Sequence, residues 1–215
     1  MAKIASAVLF VTIALQTLAV SGTSSVQTSV GTLSVRVDIQ QMDERNSAQL
    51  VIADSSGHEL KRVVFFLYGD RQYPVVLKFK VVKFQKLQDP IIVAVATTPG
   101  GSDTWYEVAL IGIDNGKVIE LLPIHLEANY LDALCLLDNP KFAKQGFVFL
   151  HFEGYEAHYA PHLYMVRYYE LSQMRLQLLS ATETHHRYDS WRGAAKELHY
   201  ALQGNLLEEI APDYR

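Results

Sequence analysis

Cysteine is almost absent from this chain of 215 residues. The single thiol, Cys135, excludes any internal disulfide, and it sits in the apolar run 133–137, where it reads as a small buried hydrophobe. A surplus of positive charge is also missing. Lys and Arg number 19 against 23 Asp and Glu, for a formal charge of −4. This argues against nucleic acid as a main partner, because the phosphate backbone wants a basic face. The one basic cluster, Lys78, Lys80, Lys83 and Lys86, reads as the solvated side of a strand. No Asn-x-Ser/Thr acceptor for glycosylation occurs. Catalytic signatures are lacking too. There is no Gly-x-Ser-x-Gly elbow and no calcium-loop spacing. The glycine-rich stretch 98–103 precedes a strand pattern, so it lacks the helix N-terminus that a phosphate loop needs.

One long apolar run is present, at the N-terminus. Lys3 precedes Ile4 to Val20, and Ala19, Val20, Ser21 and Gly22 supply the small residues of a cleavage site. Residues 1–21 are thus expected to be a signal peptide, and the protein to be exported, periplasmic or extracellular. With Lys3 removed the charge becomes −5, that is −4 less one positive charge. No membrane span is expected after cleavage. An exported chain without disulfides fits a bacterial periplasm better than an animal secretion. Residues 22–32 are rich in Ser and Thr and are expected to be a flexible leader.

From residue 33 onward the pattern is extended. The stretch 89–124 sets the template. An all-apolar run, Ile91 to Ala96, predicts a strand buried on both faces. A second run, Trp105 to Ile113, meets a third, Lys117 to Ile124, across Asp114-Asn115-Gly116. An Asn-Gly pair between apolar runs is the strongest local signal of a hairpin, because both central residues need positive φ. In Val75 to Leu87, Leu77, Phe79 and Val81 alternate with lysines, and the phase then slips, which predicts a bulge near Val81 and Val82. Sliding the chain by about 55 residues lays Phe147–Phe152 on Ile91–Ala96 and Leu163–Leu171 on Tyr106–Ile113. The expected organisation is one antiparallel β domain over 33–181. It holds a weak repeat, about 75–124 and 130–180, and an incomplete first unit. The expected fold class is all-β, mainly antiparallel: a propeller-like or sandwich stack of short-strand sheets plus one C-terminal α-helix. Residues 182–215 form the helical segment. Trp191, Ala194, Ala195, Leu198 and Leu202 share one face at helical spacing, and Gly204 ends the helix.

The candidate site lies in the stretch 151–162, HFEGYEAHYAPH. Histidine is the commonest metal ligand, so His151, His158 and His162 are candidate ligands for a transition metal. No fixed ligand spacing supports them, and without that metal no cofactor is expected. Tyr155, His158, Tyr159 and His162 are candidate binding residues, since exposed Tyr with His is typical of contact surfaces. Together these features predict a non-enzymatic binding protein that holds a protein or an envelope glycan through loops at one end of its sheets. A metal-binding envelope protein is the second reading. A hydrolase with an unsignposted site is the third.

Overall fold

A computed structural model of the chain describes residues 23–41, 46–66, 75–97, 104–139, 144–152, 160–198 and 202–211. Three antiparallel sheets follow one another in chain order. The first holds β1 (Thr23–Thr28), β2 (Gly31–Gln41), β3 (Asn46–Ala53) and β4 (Glu59–Phe66). The second holds β5 (Val76–Val82), β6 (Ile91–Thr97), β7 (Trp105–Asp114) and β8 (Lys117–Glu120), and β9 (Leu126–Asn129) also pairs with β7. The third holds β10 (Ala133–Asn139), β11 (Lys144–Phe152), β12 (Tyr164–Ser172) and β13 (Arg175–Glu183). Each sheet is a meander in which every strand pairs with the next. No barrel closes among the described residues. The fold is all-β, a propeller-like stack of short-strand sheets.

The layers are read directly from strand periodicity. Successive side chains on a strand point to opposite faces. On β6, Ile92, Ala94 and Ala96 join a core with Leu33, Val35, Leu50, Val63 and Phe65 of the first sheet. The alternate residues Ile91, Val93 and Val95 join a second core with Leu134, Phe147, Phe149 and Leu171 of the third sheet. All seven residues of β6 are buried, as the unbroken apolar run of the first six, Ile91 to Ala96, predicts. The second sheet is therefore the filling of a three-layer stack. The outer face of the third sheet packs Val148, Leu150, Phe152, Tyr164 and Val166 against Ala194 and Trp191. The outer face of the first sheet is closed differently. It carries ion pairs, Arg36 with Asp38 at 2.8 Å and Arg62 with Glu59 at 2.5 Å. A polar outer face is how a stacked array is terminated.

Several sequence expectations are corrected. The flexible leader over 22–32 is instead β1 and the start of β2. Ser24 and Val26 turn inward and are buried, Thr23, Ser25 and Gln27 turn outward, and the Thr28 hydroxyl donates to Gly31 O at 2.7 Å across the turn. A Ser/Thr-rich strand at a sheet edge has the composition of a linker, so composition alone misleads here. The first unit is thereby complete. The predicted bulge near Val81 is absent, and β5 pairs with β6 in even register through Val82. The face that carries Lys78 and Lys80 passes into the second core at Val82 and Phe84. The apparent phase slip is one strand face changing from water to core.

The predicted helix over Trp191 to Leu202 is shorter than its apolar stripe. It is α1 (Trp191–Ala195), and a second short helix, α2 (Leu206–Ile210), follows. Residues 199–201 lie outside the described residues. α1 has no side-chain cap, whereas α2 is capped by Asn205, whose Oδ1 accepts from Leu207 N at 3.1 Å. The same oxygen accepts from Leu134 N at 3.1 Å. Glu208 binds Trp191 Nε1 at 2.9 Å and Arg192 at 2.6 Å, and Glu209 pairs with Lys80. α2 thus ties the third sheet, α1 and the second sheet together. Leu136 and Gln203 exchange both backbone hydrogen bonds at 3.2 Å, which covers the free edge of β10. Cys135 is buried beneath this segment. Burial first, then Glu208 and Glu209, push its pKa to about 12, so the thiol is inert at neutral pH.

Candidate functional site

The two ends of the stack differ in kind. At one end the tight turns gather. Ser29 N and Oγ each donate to Asp89 at 2.5 Å, joining the β1–β2 turn to the β5–β6 connection. At the other end β2 and β4 finish and β7 begins. Phe66 N, the last amide of β4, donates to Glu107 Oε2 at 2.8 Å, which fixes that alignment. The third sheet runs the same way, because Met174 at the β12–β13 turn meets Gly112 near the far end of β7. The β2–β3, β6–β7 and β11–β12 connections therefore all leave the strands from the second end.

A charged cluster stands at this end between the first and second sheets. His125 Nδ1 lies 2.5 Å from Glu107 Oε1, and its Nε2 lies 3.0 Å from Glu120 Oε2. Glu120 also pairs with Lys61 of β4 at 2.7 Å. The Phe65 ring lies over the imidazole, with centroids 5.0 Å apart. Each member has its place for a local reason. Glu107 is the one acid within the inward-facing set of β7, at the edge of the core. The connection from β8 to β9 bends back along β7 and delivers His125 beside it. Partial burial pulls the His125 pKa down, but the Glu107 and Glu120 carboxylates outweigh it and hold it above the ordinary histidine value. Burial pushes Glu120 up, and Lys61 and His125 overcome that to leave it below the usual carboxylate value. Both ring nitrogens of His125 are engaged by carboxylates. The imidazole is therefore a clasp between layers rather than a base with a free nitrogen.

The pH dependence follows in sign. The raised pKa means that His125 contributes stability fully below about 6.5 and loses it as pH climbs through the folded value. The lowered pKa of Glu120 means a contribution present above about 4.3 and lost as pH falls through its folded value. The clasp is strongest between the two. His125→Ala is expected to cost about 2–3 kcal/mol near pH 6, the scale of two charge-assisted hydrogen bonds. The difference from the unmodified chain should shrink steadily toward pH 9 in a series of denaturant titrations.

Around the clasp the surface is apolar. Trp105 is 47% exposed, Ile39 43% and Ile124 79%, whereas Phe66, which follows Phe65, turns to the outer face of the first sheet. Ile39 is opposite Ala48, which is opposite Phe65, so all three share the face that looks toward the second sheet. Trp105 precedes Glu107 by two residues on β7 and shares its face. Ile124 adjoins His125 in the chain. The result is the mouth of the cleft between two sheets, with a neutralised charge cluster at its base and large hydrophobic side chains on its rim.

Of the residues singled out in the sequence, His151 and His162 are described, and they do not form one centre. Tyr155, His158 and Tyr159 lie outside the described residues. His151 and His162 are both described, and the register separates them. His151 is paired with Met165 and stacks on Phe149, toward the second sheet. Its Nδ1 lies 2.9 Å from Asp132 Oδ2. His162 is buried and packs edge-on against Phe152, with centroids 4.2 Å apart, on the opposite face. Its backbone pairs with Tyr188 in both directions at 2.8 Å. Two residues on opposite faces of a sheet do not share an ion. Among the described residues no three His, Cys, Asp or Glu side chains gather as a metal would require.

The rim residues were not anticipated. Ile39, Trp105 and His125 come from distant parts of the chain and meet only through stacking of the sheets. One local signal was available: Glu107 is an acid in the otherwise apolar run Tyr106 to Ile113. Comparison with family models, with curated proteins and with solved structures returns no match. The fold and this end define a class in physical terms alone: an open, capped stack of three antiparallel sheets with an apolar-rimmed mouth.

Proposed function

We propose that the chain is an exported, non-enzymatic interaction protein that holds a protein partner at the mouth between its first and second sheets. The observation that supports this is the gathering of Ile39, Trp105 and Ile124, all more than two-fifths exposed, at one end of the stack. Large apolar side chains scattered singly over a surface need no explanation, but a rim of them does. Aromatic side chains of this kind supply most of the binding energy at protein interfaces. The charge cluster beneath suits a contact surface, because it is neutralised internally and costs a partner little to cover.

The test is capture from an envelope extract with the purified protein as bait. A reproducible partner should be retained by the unmodified chain and lost by Trp105→Ser and Ile39→Ser. A loss of at least tenfold in retained partner is expected. Val30→Ser, which changes an exposed hydrophobe at the opposite end, should retain it fully. Equal retention by all three variants would remove the mouth as the contact surface.

A further inference from the structure

We propose that the mouth selects a partner segment presenting a lysine or arginine among apolar residues, and that it holds the cation between the ring of Trp105 and the carboxylate of Glu127. This rests on the reading of the mouth as a contact surface and names the chemistry that the surface would take. Its basis is the pairing of β7 with β9. Glu127 stands directly opposite Glu107, and Asn129 opposite Trp105. Residues opposite one another in an antiparallel pair share a face. Tyr106, Val108, Leu126 and Ala128 take the face toward the third sheet, so Trp105, Glu107 and Glu127 take the face toward the first. Asn129 is occupied, since its side-chain oxygen accepts from Leu131 N at 2.8 Å. Trp105 and Glu127 are diagonal neighbours, with backbones about 7–8 Å apart, a spacing that aromatic and long side chains bridge.

Glu127 differs from the other acids of the mouth. Glu107 has His125 and the amide of Phe66, and Glu120 has His125 and Lys61. Glu127 is exposed, and no cation pairs with it among the described residues. Two carboxylates directly opposite each other destabilise a sheet, so the free chain carries an arrangement that a bound cation would relieve. With His125 protonated, His125 and Lys61 balance Glu107 and Glu120, and Glu127 leaves the mouth with a net negative charge. Trp105 is likewise unfilled. The other tryptophan, Trp191, already carries Arg192 over its ring at 4.7 Å. Trp105 is nearly half exposed and has no cation over it among the described residues. A cation is attracted to the face of an aromatic ring, most strongly to that of tryptophan. A bare calcium or magnesium ion does not fit here, because such ions take about six oxygen ligands or more, and Glu127 is a single carboxylate. A lysine or arginine fits, because its aliphatic stem covers apolar surface such as Ile39 and Ile124 while its head stays at the carboxylate.

Random short peptides displayed on phage are selected on the full chain and on its variants Glu127→Gln, Trp105→Ser and Asp114→Asn. Asp114 lies at the far end of β7, so its variant removes a negative charge away from the mouth. The unmodified chain and Asp114→Asn are expected to select peptides with a lysine or arginine flanked by apolar residues. Glu127→Gln should select apolar peptides without that preference, and Trp105→Ser should select neither. A selected peptide is then measured by calorimetry with its basic residue changed to norleucine. Binding should weaken at least about fivefold for the unmodified chain and under about twofold for Glu127→Gln, the scale of one exposed cation–π contact and one exposed ion pair. A basic preference that survives in Glu127→Gln overturns the proposal. So does selection by the unmodified chain of apolar peptides with no basic residue, which leaves the mouth as a contact surface and ends its choice of a cation. If no selected peptide depends on Trp105, the contact surface and this inference fall together. The melting temperature of Glu127→Gln should not drop, since the substitution relieves the facing carboxylates. A drop would mean that Glu127 already has a partner within the chain, and it too overturns the proposal.

Discussion

Gly146→Ala is expected to cost about 3 kcal/mol or more, among the larger effects available to one methyl group in this fold. A Cβ at Gly146 would stand 1.9 Å from the carbonyl oxygen of Tyr169 and 3.0 Å from its carbonyl carbon. These are backbone atoms of the neighbouring strand, so no side-chain rotation relieves the contact. Gly146 is opposite Glu170 on β12 and opposite Leu137 on β10, so the strain would fall on both ladders of the third sheet. The melting temperature should drop by about 6–12 °C, taking 2–4 °C per kcal/mol for a chain of this length. Gly112→Ala is the control. Its new methyl would meet Met174 Cε at 2.3 Å, the far end of a flexible side chain. A loss of about 1 kcal/mol is expected there. Equal melting points for the two variants would contradict the close approach at Gly146.

Asp132→Ala should be as damaging, by a different cause. The Asp132 side chain is wholly buried. Its Oδ1 accepts from Phe152 N at 2.6 Å, and its Oδ2 accepts from Asn129 N at 2.8 Å and faces His151 Nδ1 at 2.9 Å. Alanine leaves two backbone donors and a ring nitrogen without an acceptor. At about 1–3 kcal/mol for each buried donor left unpaired, a loss of roughly 3–5 kcal/mol is expected. Asp132→Asn keeps one acceptor in the same shape and should lose about half as much. Hydrogen exchange gives the local check: the amides of Asn129 and Phe152 should lose protection before the rest of the third sheet. If their exchange is unaltered in the alanine variant, Asp132 is not what holds that corner.

Much of the architecture was legible because strand patterns are local. The unbroken apolar run of β6 announced a layer buried on both sides. The Asn115-Gly116 pair announced its hairpin, and the structure gives both residues positive φ, 48° and 79°. Where reading failed, a non-local cause replaced a local one. β1 is polar in composition, and it is a strand only because β2 offers a ladder. The lysine face of β5 turns apolar at Val82 because the third sheet arrives there. The turn at Gln173 and Met174 has positive φ at both residues without a glycine, 50° and 54°, a conformation that sequence rules would not choose. Met174 packs into the second core beside Gly112, and that contact holds the turn. The mouth was invisible for the same reason. Residues 39, 105–107 and 120–125 share no motif, and only the stacking of two meanders brings them to one rim. Legibility of chemistry in sequence favours clustered residues, which is why the histidines and tyrosines of 151–162 stood out.

Because each sheet pairs only with itself and stacks only on its neighbours in the chain, assembly can proceed in the order of synthesis. The first meander can hydrogen-bond as soon as residue 66 is available, yet its inner face waits for β5 to β9. The second waits in turn for β10 to β13. Asn205 to Glu209, which arrive after β13, close the third sheet like a latch, through bonds to Leu134, Trp191, Arg192 and Lys80. A chain delivered N-terminus first and unfolded across a membrane would thus keep its greasiest layer, β6, uncovered on one side until nearly the whole length had crossed.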